Sequence, residues 1–151
     1  MSATFKTVIN TILDFAKSHK QIKTADFGYF WFKIDTLKDR EYPLIWISPV
    51  PSNLVNTQFN LKLQILVSDK LDPEQTNLTD VYSDTLQIAM DFVREYCATY
   101  SVNDQQFWFD EKTITINPFE PGKNDELYVA GWILNISIIT ELPLNPCSIP
   151  D

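Results

Sequence analysis

Residues able to do chemistry are scarce in this chain. The single histidine, His19, sits among Lys17, Ser18 and Lys20. As a general base it needs an orienting partner, and the sequence shows none. It reads instead as a solvated histidine favouring the C-terminus of a helix. Serine and cysteine nucleophile schemes lack a base for the same reason. The three glycines, Gly28, Gly122 and Gly131, form no G-x-S-x-G, phosphate loop or dinucleotide fingerprint. Cys97 and Cys147 are too far apart to suggest a disulfide scaffold or a zinc site. Asp69 with Asp72, or Asp80 with Asp84, could hold a divalent cation, but no calcium-loop pattern surrounds them. A solvated loop and helix face is the simpler reading. No enzyme activity, cofactor or metal is expected.

Two other groups of residues suggest contact rather than catalysis. Tyr29, Phe30, Trp31 and Phe32, with Phe107, Trp108 and Phe109, could stack on bases or sugars, yet only Lys33 accompanies them. Strand core plus a subunit interface fits better, with Tyr29, Trp31 and Trp108 as interface candidates. Asp80, Asp84, Asp91 and Glu95 recur at helical spacing and form an acidic stripe. Its plain reading is a solvated face. Its functional reading needs a ring of copies, in which the stripe would line a channel and repel DNA phosphates. The charge balance agrees: 12 Lys and Arg against 20 Asp and Glu give a net −8, which excludes a wide phosphate-binding surface.

The elements that must position these residues follow from periodicity. Length, 151 residues with 44% hydrophobic and 20 aromatics (10 Phe, 6 Tyr, 4 Trp), suits one folded domain. Phe5, Val8, Ile9, Ile12, Leu13 and Ala16 predict an amphipathic helix ending around His19. No stretch predicts a signal peptide or a membrane span, so the chain is expected to be made in the cytoplasm. Residues 27–34 (FGYFWFKI), 42–48 (YPLIWIS) and 59–67 predict three strands, joined by a charged turn at Lys38-Asp39-Arg40-Glu41. The last of these alternates Phe59, Leu61, Leu63, Ile65 and Val67 with Asn60, Lys62, Gln64 and Leu66. Short connections predict antiparallel pairing.

After a polar loop (69–77), residues 79–100 predict a second helix with Thr79 as a cap. Its apolar stripe is Val81, Thr85, Ile88, Ala89, Phe92, Val93 and Tyr96. Residues 105–110, 112–117 and 127–140 predict further strands, the last with Tyr128, Ala130, Trp132, Leu134, Ile136 and Ile138 on one face. The expected fold is α+β: an antiparallel sheet with two amphipathic helices packed on one face. The domain covers residues 1–141. Residues 142–151 (LPLNPCSIPD) are expected to be an extended Pro-rich arm, with Leu142, Leu144 and Ile149 as anchors for a neighbour.

In this order of elements, FNLKLQILVSD followed by LTDVYSDTLQIAMDFV and a closing β-hairpin, the chain resembles tail-terminator and head–tail neck proteins of tailed bacteriophages. The resemblance extends to small neck proteins of the crAss-like group and covers residues 4–140. It implies a tail-terminator-like sandwich and a structural virion protein without catalytic residues. It further implies a homo-oligomeric ring, six- or twelvefold, in the neck or tail of the virion. The implied partners are portal, adaptor or tail proteins, with DNA passing through the channel unbound and no membrane. Two other readings stay open: a small metal-dependent hydrolase or nuclease using Asp69, Asp72, Asp80 or Asp84, and a monomeric carbohydrate- or peptide-binding module using residues 29–32.

Overall fold

The computed structural model of the chain describes residues 5–28, 41–72, 74–100, 107–119 and 129–141. Helix α1 (Phe5–Ser18) buries Val8, Ile9, Ile12, Phe15 and Ala16, and Lys17 in its last turn complements the helix dipole. The chain leaves the helix at His19, whose N–H still donates to the carbonyls of Phe15 and Ala16. The second helix, α2 (Leu78–Tyr100), buries Val81, Thr85, Ile88, Ala89, Phe92 and Tyr96, which is the expected stripe with Val93 half-buried beside it. Thr85 is tolerated in this core because its hydroxyl donates to the Val81 carbonyl at 2.6 Å. Thr79 lies inside the helix, whose start is organised by Asn77. The Asn77 carbonyl accepts from Val81 N–H, and its side chain accepts from Asp72 N–H and donates to the Lys70 carbonyl.

Among the described residues seven strands make one sheet: β1 (Thr24–Phe27), β2 (Leu44–Pro49), β3 (Asn53–Val55), β4 (Gln58–Lys70), β5 (Phe107–Phe109), β6 (Thr115–Phe119) and β7 (Val129–Glu141). The frame is β4 against β7, antiparallel and in register from Gln58↔Glu141 to Lys70↔Val129. Each has an interrupted strand on its other side. β2 and β3 both run along β4, separated by Val50, Pro51 and Ser52. Pro51 cannot donate to a ladder, and Ser52 bridges the gap: its Oγ accepts from Lys62 N–H at 2.9 Å and donates to the Val50 carbonyl. β5 and β6 run along β7, separated by a 3₁₀ turn (Glu111–Thr113) that Asp110 caps by accepting from Lys112 N–H. The strands read at 105–110 and 112–117 are therefore two pieces of one row.

The α+β class is as expected, but the sheet is mixed. β1 pairs with β2 in parallel, Thr24↔Leu44 to Phe27↔Ile47, where the sequence pointed to an antiparallel return. Gly28 and the long connection to β2 give enough chain for a crossover, which a tight turn could not supply. Of the FGYFWFKI stretch, Phe27 and Gly28 are described; the rest, with Tyr29 and Trp31, lies outside the described residues.

Both helices pack on one face, over Ile45, Ile47, Leu61, Leu63, Ile65, Val67, Leu134, Ile136 and Ile138. The opposite face divides along its length. At one end Leu44, Trp46 and Leu66 are buried, with Tyr42, Phe119 and Ile133 packed on them. The Trp46 indole N–H is satisfied by the Gly28 carbonyl at 2.8 Å. Further along, Gln64 Nε2 donates to Asn135 Oδ1 and Asn135 Nδ2 donates to Thr115 Oγ1, a polar row across three strands. Leu66, the one apolar residue among the outward positions of β4, marks the buried end.

Candidate functional site

The acidic stripe of α2 does not form one free row. Asp80, Asp84 and Glu95 are exposed, but Asp91 is partly buried and faces α1. His19 Nε2 lies 3.1 Å from Asp91 Oδ2, while Gln87 Nε2 and the Arg94 guanidinium donate to Asp91 Oδ1. The partner that His19 was expected to lack is thus 72 residues away on the other helix. The ring's other nitrogen, Nδ1, accepts from Gln21 N–H at 3.3 Å, so Nε2 carries the proton and donates it to Asp91. Both ring nitrogens are engaged within the protein. The pair works as a helix-to-helix clasp, and Phe15 packs against the imidazole at 5.9 Å.

This clasp makes Asp91 more acidic. The hydrogen bond from His19 comes first, then Gln87 and the Arg94 charge, and together they outweigh desolvation and hold the carboxyl below its usual range. Asp69 moves the other way. Burial raises it and the Asp84 charge adds to that, partly offset by the Lys70 N–H it accepts. Nearby Tyr42 is pushed up to about 12 by burial and by the Asp69 charge.

The two acids therefore have opposite linkage. The stability contributed by Asp91, with a lowered folded-state pKa, is present above the ordinary carboxylate value and lost as pH falls through the folded one. Asp69, with a raised pKa, weakens the fold once ionised, and this strain is relieved on acidification. Asp91→Asn is expected to lower the urea midpoint at pH 7 and to have little effect near pH 3. Asp69→Asn is expected to raise it at pH 7. Each effect should be about 1 kcal/mol or less, because both sites are partly solvated. Urea titrations between pH 3 and 7 read both signs, and equal responses of the two variants at all pH values would contradict the assignment.

The loop acids do not gather into a metal centre. Asp72 accepts from Thr76 Oγ1 at 2.8 Å and serves the loop. Among the described residues no three His, Cys, Asp or Glu side chains come together where an ion could be held.

Apolar exposure is concentrated elsewhere. In the β3–β4 hairpin, Leu54 is 57% exposed and Val55 51%, and all three residues of β3 are exposed. Asn56 turns the hairpin with φ of 56°, a conformation asparagine tolerates. Leu54 pairs with Phe59 and Val55 with Gln58, so the two side chains point to opposite faces of the tip. Among the described residues β3 pairs only with β4. Phe107 and Phe109 are buried in the core, whereas Trp108, paired with Ile139, is half-buried on the face away from the helices. Leu142, Leu144 and Ile149 lie outside the described residues, as do Tyr29 and Trp31. The hairpin tip was not singled out in the sequence. Its signal was an Asn-Thr pair between Val55 and Gln58, a weak hairpin cue.

No protein-family model matches this chain, and no curated protein is similar to it in sequence. No described helix is long and apolar enough to cross a membrane.

Proposed function

We propose that this chain is a structural subunit of a tailed-bacteriophage neck or tail, assembling into a ring through which DNA passes. The observation that carries this reading is the apolar tip of the β3–β4 hairpin. Apolar side chains left exposed together at the tip of a hairpin mark a surface made for contact. Here Leu54 and Val55 project on both faces of the tip, as expected of a contact made repeatedly between identical subunits. The order of elements, which resembles tail-terminator and neck proteins, supplies the class of assembly.

In this reading Trp108 extends the contact surface on the sheet. The channel-facing charge falls to Asp80, Asp84 and Glu95, because Asp91 is clasped to His19 and Arg94. Sixfold or twelvefold closure, with portal, adaptor or tail proteins as neighbours, belongs to the same proposal.

Electron-microscopy density of intact virions carrying the chain tests it. The expected result is a closed ring of copies in the neck or tail, with the β3–β4 hairpin at the boundary between subunits. Virions whose neck and tail lack the chain would overturn the proposal.

A further inference from the structure

Four large apolar side chains are exposed among the described residues: Phe5, Leu54, Val55 and Met90. Phe5 packs its ring against Phe27 of β1, toward the same edge of the sheet as the β3–β4 hairpin. Met90, 46% exposed, stands elsewhere. Spacings of four, four and three put it on one flank of α2 with Tyr82, Leu86 and Val93, all three half-buried. The other flank faces α1, where Asp91 meets His19. The Met90 flank runs along the β5–β6 row instead. Phe109 at one end of that row packs against Phe92 and Tyr96. At its other end the Phe119 carbonyl accepts from Tyr82 Oη at 2.8 Å. Ile114 and Ile116 lie between these ends, half-buried against the core, and widen the apolar strip beside Met90.

A surface that meets its own copy closes a pair, whereas a ring of more than two copies needs two different surfaces on each subunit. The hairpin tip and the Met90 flank are two such surfaces. They lie toward opposite edges of the sheet, since β3 runs beside β4, β6 runs beside β7, and the β4–β7 ladder separates them. Charge selects the same pairing. Each copy carries a net −8, so two copies repel wherever their acidic surfaces approach. Residues 49–61, which contain the whole tip, hold no charged side chain, and the six residues of the strip hold none either. The acids of α2, at 80, 84, 91 and 95, fall on the other side of the helix. We infer that the apolar strip along α2 receives the β3–β4 hairpin tip of a second copy of this chain, with Leu54 of one subunit against Met90 of the next. The contact rests on the ring reading and supplies its joint.

Cysteine crosslinking of the full-length chain, with Cys97 and Cys147 replaced by serine, tests the joint. Leu54→Cys and Met90→Cys chains are treated with a short bis-maleimide separately, mixed, and as the double variant. The expected result is no covalent dimer from either chain alone, a dimer from the mixture, and a ladder of oligomers from the double variant. A dimer of Leu54→Cys with itself would overturn the joint, because tip would then meet tip. Assemblies that sediment normally without a crosslink between 54 and 90 would also overturn it and would leave the ring standing. A chain showing neither assembly nor crosslink overturns the joint as well, while the ring is read separately from virion density. Should the serine background fail to fold, charge exchange in the natural chain reads the same contact. Met90→Glu and Leu54→Lys should each weaken self-association by about tenfold, and both together in one chain should recover most of that loss. No recovery would count against the joint.

Discussion

Gly131→Ala is expected to cost more stability than any other single-methyl change in the described sheet. Gly131 lies on β7, paired with Ser68 of β4 on one side and Phe119 of β6 on the other. A Cβ added there would sit 1.8 Å from the Val67 carbonyl oxygen and 2.8 Å from Ser68 Cα. These are backbone atoms of the longest ladder in the fold, so no side-chain rotation relieves the clash. Either the β4–β7 ladder opens locally or β7 shifts, and both routes disturb the core on Ile65, Val67 and Leu134. Overpacking of a well-filled interior typically costs about 1–3 kcal/mol, and a collision with backbone belongs at or above the top of that range. For a domain of this size about 3 kcal/mol lowers the thermal midpoint by roughly 6–12 °C. Differential scanning calorimetry reads this directly. A Gly131→Ala midpoint within a degree of the unaltered chain would mean that the two strands are not so closely apposed.

What the sequence disclosed was its periodic part. The buried positions of α1 and α2 follow from spacings of three and four, and those of β4 under the helices from strict alternation, since burial imposes these periods on side chains. Pairing partners carry no such period. Nothing local distinguishes Thr24–Phe27 as a strand parallel to Leu44–Pro49, and the charged residues at 38–41 suggested a tight return. Likewise a break between 110 and 112 was legible, but not that a 3₁₀ turn there, or Ser52 beside Pro51, would let the same row resume. The His19–Asp91 clasp had the weakest signal of all. A histidine at one helix end and an aspartate in a repeating acidic face look solvated until packing brings the two helices together. The same packing took Asp91 out of the stripe and left Asp80, Asp84 and Glu95 exposed.

Replacing Leu54 and Val55 together by Asp is expected to leave the subunit folded and abolish its self-association. Both side chains are more than half exposed in the subunit, so their removal takes little from the core. What they stand to gain is burial against a neighbour. Full burial of a leucine or valine is worth roughly 1.5–3 kcal/mol, and about half of that remains available to each here. The pair therefore supplies about 2 kcal/mol per contact, or roughly 30-fold in its association constant. Two aspartates add the cost of desolvating charge on top. Because aspartate also disfavours strands, Leu54→Thr with Val55→Thr serves as the second variant. Threonine keeps β-propensity in β3 and removes only apolar surface, so it isolates burial from strand formation. Sedimentation across a concentration series should show assemblies of the unaltered chain, none for the Asp pair, and assembly displaced to about 30-fold higher concentration for the Thr pair. Thermal midpoints of both variants should stay within about 2 °C of the unaltered chain. If both assemble as readily as the parent, the hairpin tip is not the contact. The half-buried Trp108 face of the sheet would then be the next candidate, tested by Trp108→Glu.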